Sequence, residues 1–100
     1  MIAPIVSYLG FSATPKGREY TVRVSSGPET PRVFVLFIAH QAFAAGDARY
    51  QDAPDLCCAR VRREIELDPA FTSDAPLVVT QQEMLDYRGA HGPPSNRRRM

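Results

Sequence analysis

Apolar and polar residues alternate, run together and then recur at helical spacing along this chain, and each change of pattern marks an element. Ile5 to Phe11 predicts a first strand, with Ile5, Ser7, Leu9 and Phe11 on one face and Val6 and Tyr8 on the other. Ser12 to Gly17 contains Thr-Pro-Lys-Gly, where proline presets one dihedral and glycine allows positive φ in another, so a hairpin turn is expected. From Arg18 to Ser25 the alternation is clean: Tyr20, Val22 and Val24 share one face, and Thr21, Arg23 and Ser25 take the other. Ser-Ser-Gly-Pro-Glu-Thr-Pro at 25–31 reads as a loop.

The run from Arg32 to His40 is apolar on both faces, from Val33 through Ala39, and is the expected central strand. Two good helices are too few to cover both faces, which raises the expectation of self-association through the sheet. Gln41 to Ala45 predicts a single helical turn ended by Gly46.

The main helix is expected over about 53–68. Asp52 stands at the N-cap, Pro54 falls in the first turn and Asp55 meets the positive end of the dipole. Cys57, Cys58, Val61 and Ile65 form one apolar stripe at 100° per residue, and Pro69 ends the helix. Residues 69–76 form a connector and Leu77 to Val79 a short strand. A capping box of Thr80 and Glu83 then opens a second helix over about 81–90, with Met84, Leu85 and Tyr87 on its apolar side. The fold class that follows is α+β: an antiparallel sheet of three to four strands with two helices packed on one face, in the order β-β-β-α-β-α. Residues 1–91 make one small domain, and Gly92 to Met100, which lacks any set of residues able to form a core, reads as a flexible basic tail.

Charge narrows the partners. Twelve Lys and Arg against eleven Asp and Glu leave a net of +1; without the three arginines at 97–99 the remaining nine basic residues give −2, so the body does not resemble a general polyanion binder. The first fifteen residues carry no Lys or Arg and their apolar run is broken by Pro4, Ser7 and Gly10. They predict neither a signal peptide nor a membrane span, and the cytoplasm is the expected compartment.

Candidate chemistry is sparse. Cys57 and Cys58 are adjacent, project about 100° apart and cannot easily bridge each other. A thiol centred on Cys57 could act in redox or nucleophilic work with Arg60 to Arg63 nearby, but both cysteines lie on the buried stripe beyond the first turn, where cysteine behaves as a small hydrophobe. His40 and His91 complete the stock of soft metal ligands, at spacings that suit zinc poorly, so no metal and no cofactor is expected. The serines show no nucleophile elbow, and the glycines spell neither a P-loop nor a dinucleotide fingerprint. The carboxylate pairs Asp52 with Asp55 and Glu64 with Glu66 are explained by a helix start and a solvated face. Arg60 and Arg63 on one helix edge, with tail residues Arg97, Arg98 and Arg99, form a possible phosphate-binding set; Glu64 four residues after Arg60, and Glu66 four after Arg62, argue instead for a charge-paired surface. Arg49, Tyr50 and Gln51, presented at the start of the main helix, suit a protein partner, although Tyr50 could simply staple the helix start.

The ranked expectation is a non-catalytic interaction or adaptor domain with a protein partner or as a homodimer, then a nucleic-acid accessory protein using the arginines, then a cysteine-based enzyme or redox sensor. No membrane partner is expected.

Overall fold

The computed structural model describes residues 3–91. Strands β1 (Ile5–Thr14), β2 (Gly17–Ser25) and β3 (Arg32–Ala39) form an antiparallel meander; α1 (His40–Ala44), α2 (Ala53–Leu67), β4 (Leu77–Val78) and α3 (Gln81–His91) follow. The sheet has the order β1-β2-β3-β4. The α+β class and the element order match the expectation, with one correction: the sheet is mixed, because β4 runs parallel to β3 through Leu36↔Leu77 and Phe37↔Val78. The segment between them crosses over by way of α2, and a helical crossover returns the chain in the direction it started. Val79 extends the pairing by donating its N–H to the Phe37 carbonyl.

One face of the sheet carries the core. Tyr20, Val22 and Val24 from β2 and Phe34, Leu36 and Ile38 from β3 share the core with the predicted stripe of Cys57, Cys58, Val61 and Ile65 of α2, which Leu56 joins. The helix ends where expected: Asp68, ahead of Pro69, has left the helical region at φ −148°, ψ 95°. Its start differs. Asp52 already has helical dihedrals (φ −93°, ψ −17°) and makes no side-chain cap, because its N–H and that of Ala53 are both taken by the Arg49 carbonyl. A capping carboxylate needs an extended backbone to fold back over the first turn, and the Arg49 turn removes it. The short helix begins at His40 rather than Gln41, so His40 opens α1 instead of closing a strand.

The first strand is longer than predicted, and its faces are not those of simple alternation. A β-bulge interrupts the register between Tyr8↔Val22 and Gly10↔Thr21, after which Phe11 opposes Tyr20. Phe11 therefore shares the core-side face with Val6 and Tyr8, not the face of Ile5 and Ser7. Gly10 holds φ +150°, a backbone that only glycine adopts without strain, and this places the extra residue. The hairpin closes on Pro15 and Lys16, tied by the Thr14 hydroxyl, which accepts the N–H of Gly17 at 3.0 Å.

The α3 start is the expected capping box: Thr80 Oγ1 accepts the Glu83 N–H at 3.2 Å and Glu83 Oε1 accepts the Thr80 N–H at 2.9 Å. Met84 of α3 is buried in the core and Tyr87 packs partly against it; polar contacts add to these, among them Tyr87 Oη donating to Asp55 at 2.8 Å and Arg88 donating to the Gly46 carbonyl at 2.9 Å. Residues 92–100, read from sequence as a basic tail, lie outside the described residues.

Candidate functional site

The thiols come first, because they are the strongest nucleophiles in the chain. Cys57 is fully buried and Cys58 nearly so, both unbridged. Burial, reinforced by the neighbouring Cys58 and Glu83, pushes the Cys57 thiol up to about 12 against a weaker opposing pull from Arg60. Burial also raises Cys58, opposed by Arg62. A thiol so placed is protonated at neutral pH and has no surface to meet a substrate. Among the described residues no three His, Cys, Asp or Glu side chains gather as a metal site, and no helix is long and apolar enough to cross a membrane.

Of the arginines proposed for phosphate binding, Arg60 and Arg63 line one groove together, in the company of carboxylates. Arg60 sits between α2 and α3, donating from Nε to Glu64 at 2.7 Å and from one terminal nitrogen to Glu83 at 2.8 Å and to the Val78 carbonyl at 3.0 Å. Burial alone would lower its pKa, but the hydrogen bonds and charges of Glu64 and Glu83 outweigh that and raise it. Arg60 thus joins two helices and a strand, and its charge is spent on carboxylates. Arg63 is exposed beside it on a shallow groove that also carries Glu64, Glu83 and Asp86. Arg97, Arg98 and Arg99 lie outside the described residues. A second open cleft, of about 570 Å³ and reaching the C-terminal part of α2 through Arg62, Ile65 and Glu66, is lined also by Glu29 and Arg32 over Val6, a charge-balanced surface whose one hydroxyl, Ser26, has no histidine beside it in the lining.

Arg49, Tyr50 and Gln51 are all exposed on the lead-in to α2. Tyr50 does not staple α2 to a later residue. Its ring stacks instead on the earlier Phe43 of α1, with centroids 4.3 Å apart and planes 13° from parallel. The guanidinium of Arg18 lies 4.1 Å from the Tyr50 ring centre and 4.3 Å from that of Phe11, joining the β1–β2 hairpin to the α2 lead-in. Arg18, Phe11 and Phe43 were not identified from the sequence. A partial signal was present, since Arg18 is in phase with Tyr20, Val22 and Val24 and so projects from the core-side face. Its meeting with residues at 43 and 50 depends on chain path and has no local signature.

The second face of the sheet is the remaining feature. Ile5 and Ser7 of β1, Glu19, Thr21 and Arg23 of β2, Val33, Val35 and Phe37 of β3, and Val78 of β4 share it by register. No helix covers it among the described residues; Val33 is 53% exposed, Val78 60% and Ile5 62%. Comparisons with protein-family models, with curated proteins and with solved structures find no match to this chain.

Proposed function

We propose that this chain is a small non-catalytic interaction domain that pairs with a second copy of itself through the uncovered face of its sheet. The observation that carries this reading is the apolar stripe of Val33, Val35, Phe37 and Val78, which crosses two strands with Val33 and Val78 more than half exposed. A second copy is the favoured partner because the face is self-complementary. Glu19 and Arg23 lie on it four residues apart along β2, so a two-fold axis through Thr21 sets Arg23 of each copy against Glu19 of the other while the stripes meet beside them. The buried thiols and the charge-paired Arg60 support the absence of a catalytic role.

The test is molar mass in solution by light scattering over a range of concentration and salt, on the full chain and on a version ending at His91. A dimer that persists in salt in both versions, and that becomes a monomer with Val33→Lys, is the expected result. Val33 is exposed and makes no core contact, so the lysine leaves the fold intact. A monomer at every concentration overturns the reading, as does a dimer indifferent to Val33→Lys.

A further inference from the structure

Strand β1 is the long edge of the sheet: ten residues, Ile-Val-Ser-Tyr-Leu-Gly-Phe-Ser-Ala-Thr, paired to β2 on one side only. Edges of this length are ordinarily guarded by charge, proline or a bulge; β1 has no charge and no proline, and its one bulge, between Tyr8 and Gly10, leaves Phe11 to Thr14 in regular pairing with β2. Its core-side face ends in the cluster around Arg18. Phe11 is 49% exposed and Tyr50 54%, and among the described residues no carboxylate pairs with Arg18. Both ion pairs among the described residues belong to Arg60; Arg18 differs from the remaining described arginines in being held between aromatic rings beside the free edge. Below the cluster the Tyr20 hydroxyl is buried with no hydrogen-bond partner of good geometry among the described residues, although the Arg18 guanidinium is close enough to oppose the rise in its pKa that burial causes.

We propose that β1 and Arg18 together form a binding site for an extended acidic peptide segment of a partner protein, which adds as a fifth strand to the β1 edge and places one Asp or Glu side chain on the Arg18 guanidinium. The register supports this. Arg18 pairs with Ala13 across the hairpin, so only a methyl group stands between Arg18 and the free edge on that face. A strand added beyond β1 would lie about 9.5 Å from β2, two strand spacings, which an arginine and a carboxylate side chain cover together. The Phe11 and Tyr50 rings hold the guanidinium carbon without using its N–H donors, of which some face the Tyr20 hydroxyl and the rest are available to a carboxylate. Lys16, in the hairpin turn, and Arg49, next to Tyr50 in sequence, carry charge of the same sign. Backbone pairing supplies affinity that does not depend on sequence; the carboxylate and the exposed rings of Tyr8, Phe11 and Tyr50 supply selectivity.

This site is separate from the uncovered sheet face, so the two readings fail independently. The experiment is selection of a displayed library of random peptides on the full chain, repeated on Val33→Lys, Arg18→Gln and Arg18→Lys. The expected result is recovery, on the first two proteins alike, of peptides with an acidic residue at a fixed position. Their affinity should fall at least tenfold on either Arg18 variant, on changing that residue to its amide, or on N-methylating alternate peptide backbone amides, and amide resonances of Ser7 to Ala13 should shift on binding. The peptide modifications test the site on the unaltered protein, whatever the Arg18 variants do to folding. Recovery of no peptide overturns the proposal. So does enrichment without an acidic residue, indifference to N-methylation, resonance shifts confined to Val33 to Phe37, or a dimer held together through β1 that leaves no edge free.

Discussion

Raising the pH tests the burial of Cys57 directly. The thiol's ordinary value is 9.0 and the fold raises it to about 12. Because the folded value is the higher one, the fold favours the neutral thiol. That contribution is whole below pH 9 and is lost as the pH climbs towards 12, since the unfolded chain releases its proton over this range and the folded chain does not. At pH 11 the difference amounts to about 2.7 kcal/mol, from about 1.4 kcal/mol per unit. Against a total stability of roughly 5–15 kcal/mol that is large, and it corresponds to a fall of roughly 1–2 M in the urea midpoint. The assay is urea unfolding followed by circular dichroism at pH 7, 9, 10 and 11, on the wild type and on Cys57→Ala. The substitution carries its own cavity cost of about 1–2 kcal/mol, but that cost is independent of pH, so the difference in slope between the two proteins isolates the thiol. Tyr8 and Tyr20, whose pKa values the Cys57 charge helps to raise, titrate differently once Cys57 is removed, so their ionisation is followed by ultraviolet absorbance in both proteins and subtracted. Parallel curves for wild type and Cys57→Ala would refute the burial argument, and rapid labelling of Cys57 in the folded protein would reopen the thiol as a reactive group.

Three further perturbations have defined outcomes. Gly17→Ala drives a Cβ into the Ile38 carbonyl oxygen and against the Ala39 main chain, which cannot give way as a side chain would; a loss of about 3 kcal/mol or more is expected in urea unfolding, and a loss below about 1 kcal/mol would show that the β2–β3 pairing relaxes there. Arg60→Gln leaves the part-buried Glu64 and Glu83 without their cation, and should cost about 2–3 kcal/mol and speed amide exchange in α3 before the sheet; uniform exchange across both would count against Arg60 as the tie between them. Thr80→Ala removes the reciprocal cap of α3 and should cost about 1 kcal/mol, read from the same exchange profile.

Helix α2 was legible in the sequence because its stripe repeats over fifteen residues between a proline in its first turn and another just beyond its end. Strand β2 was legible because one wet face makes it alternate strictly, and β3 because its run is apolar on both faces, although one of those faces is uncovered among the described residues. What escaped prediction shares one physical cause, dependence on contacts between distant segments. The bulge in β1 changes which face Phe11 occupies without changing the local composition, and Gly10 was its only mark. The Asp52 cap failed because the turn onto the Arg49 carbonyl holds Asp52 in helical dihedrals, from which its carboxylate cannot fold back over the first turn. The parallel direction of β4 depends on the route of a crossover, and the Arg18 cluster draws on positions 11, 18, 43 and 50, which no periodicity links. Tyr50, chosen as a surface anchor, packs on Phe43 and Arg18, neither of which the sequence linked to it, and Arg60, chosen for its charge, is held by carboxylates.

Strand β4 has two paired residues, and its partners are far away in sequence: Phe37 pairs with Val78, forty-one positions on. The β1–β2–β3 meander closes through short loops, so its entropy cost is small and its pairing can form early. The β4 pairing can form only after α2 has crossed the sheet, and it gains little backbone bonding when it does. The order of assembly expected from this is the meander, then α2 on its core face, then β4 and α3 together. During synthesis the uncovered face and free edge of the sheet are therefore presented before β4 and α3 are in place, on a nascent chain that is not yet complete.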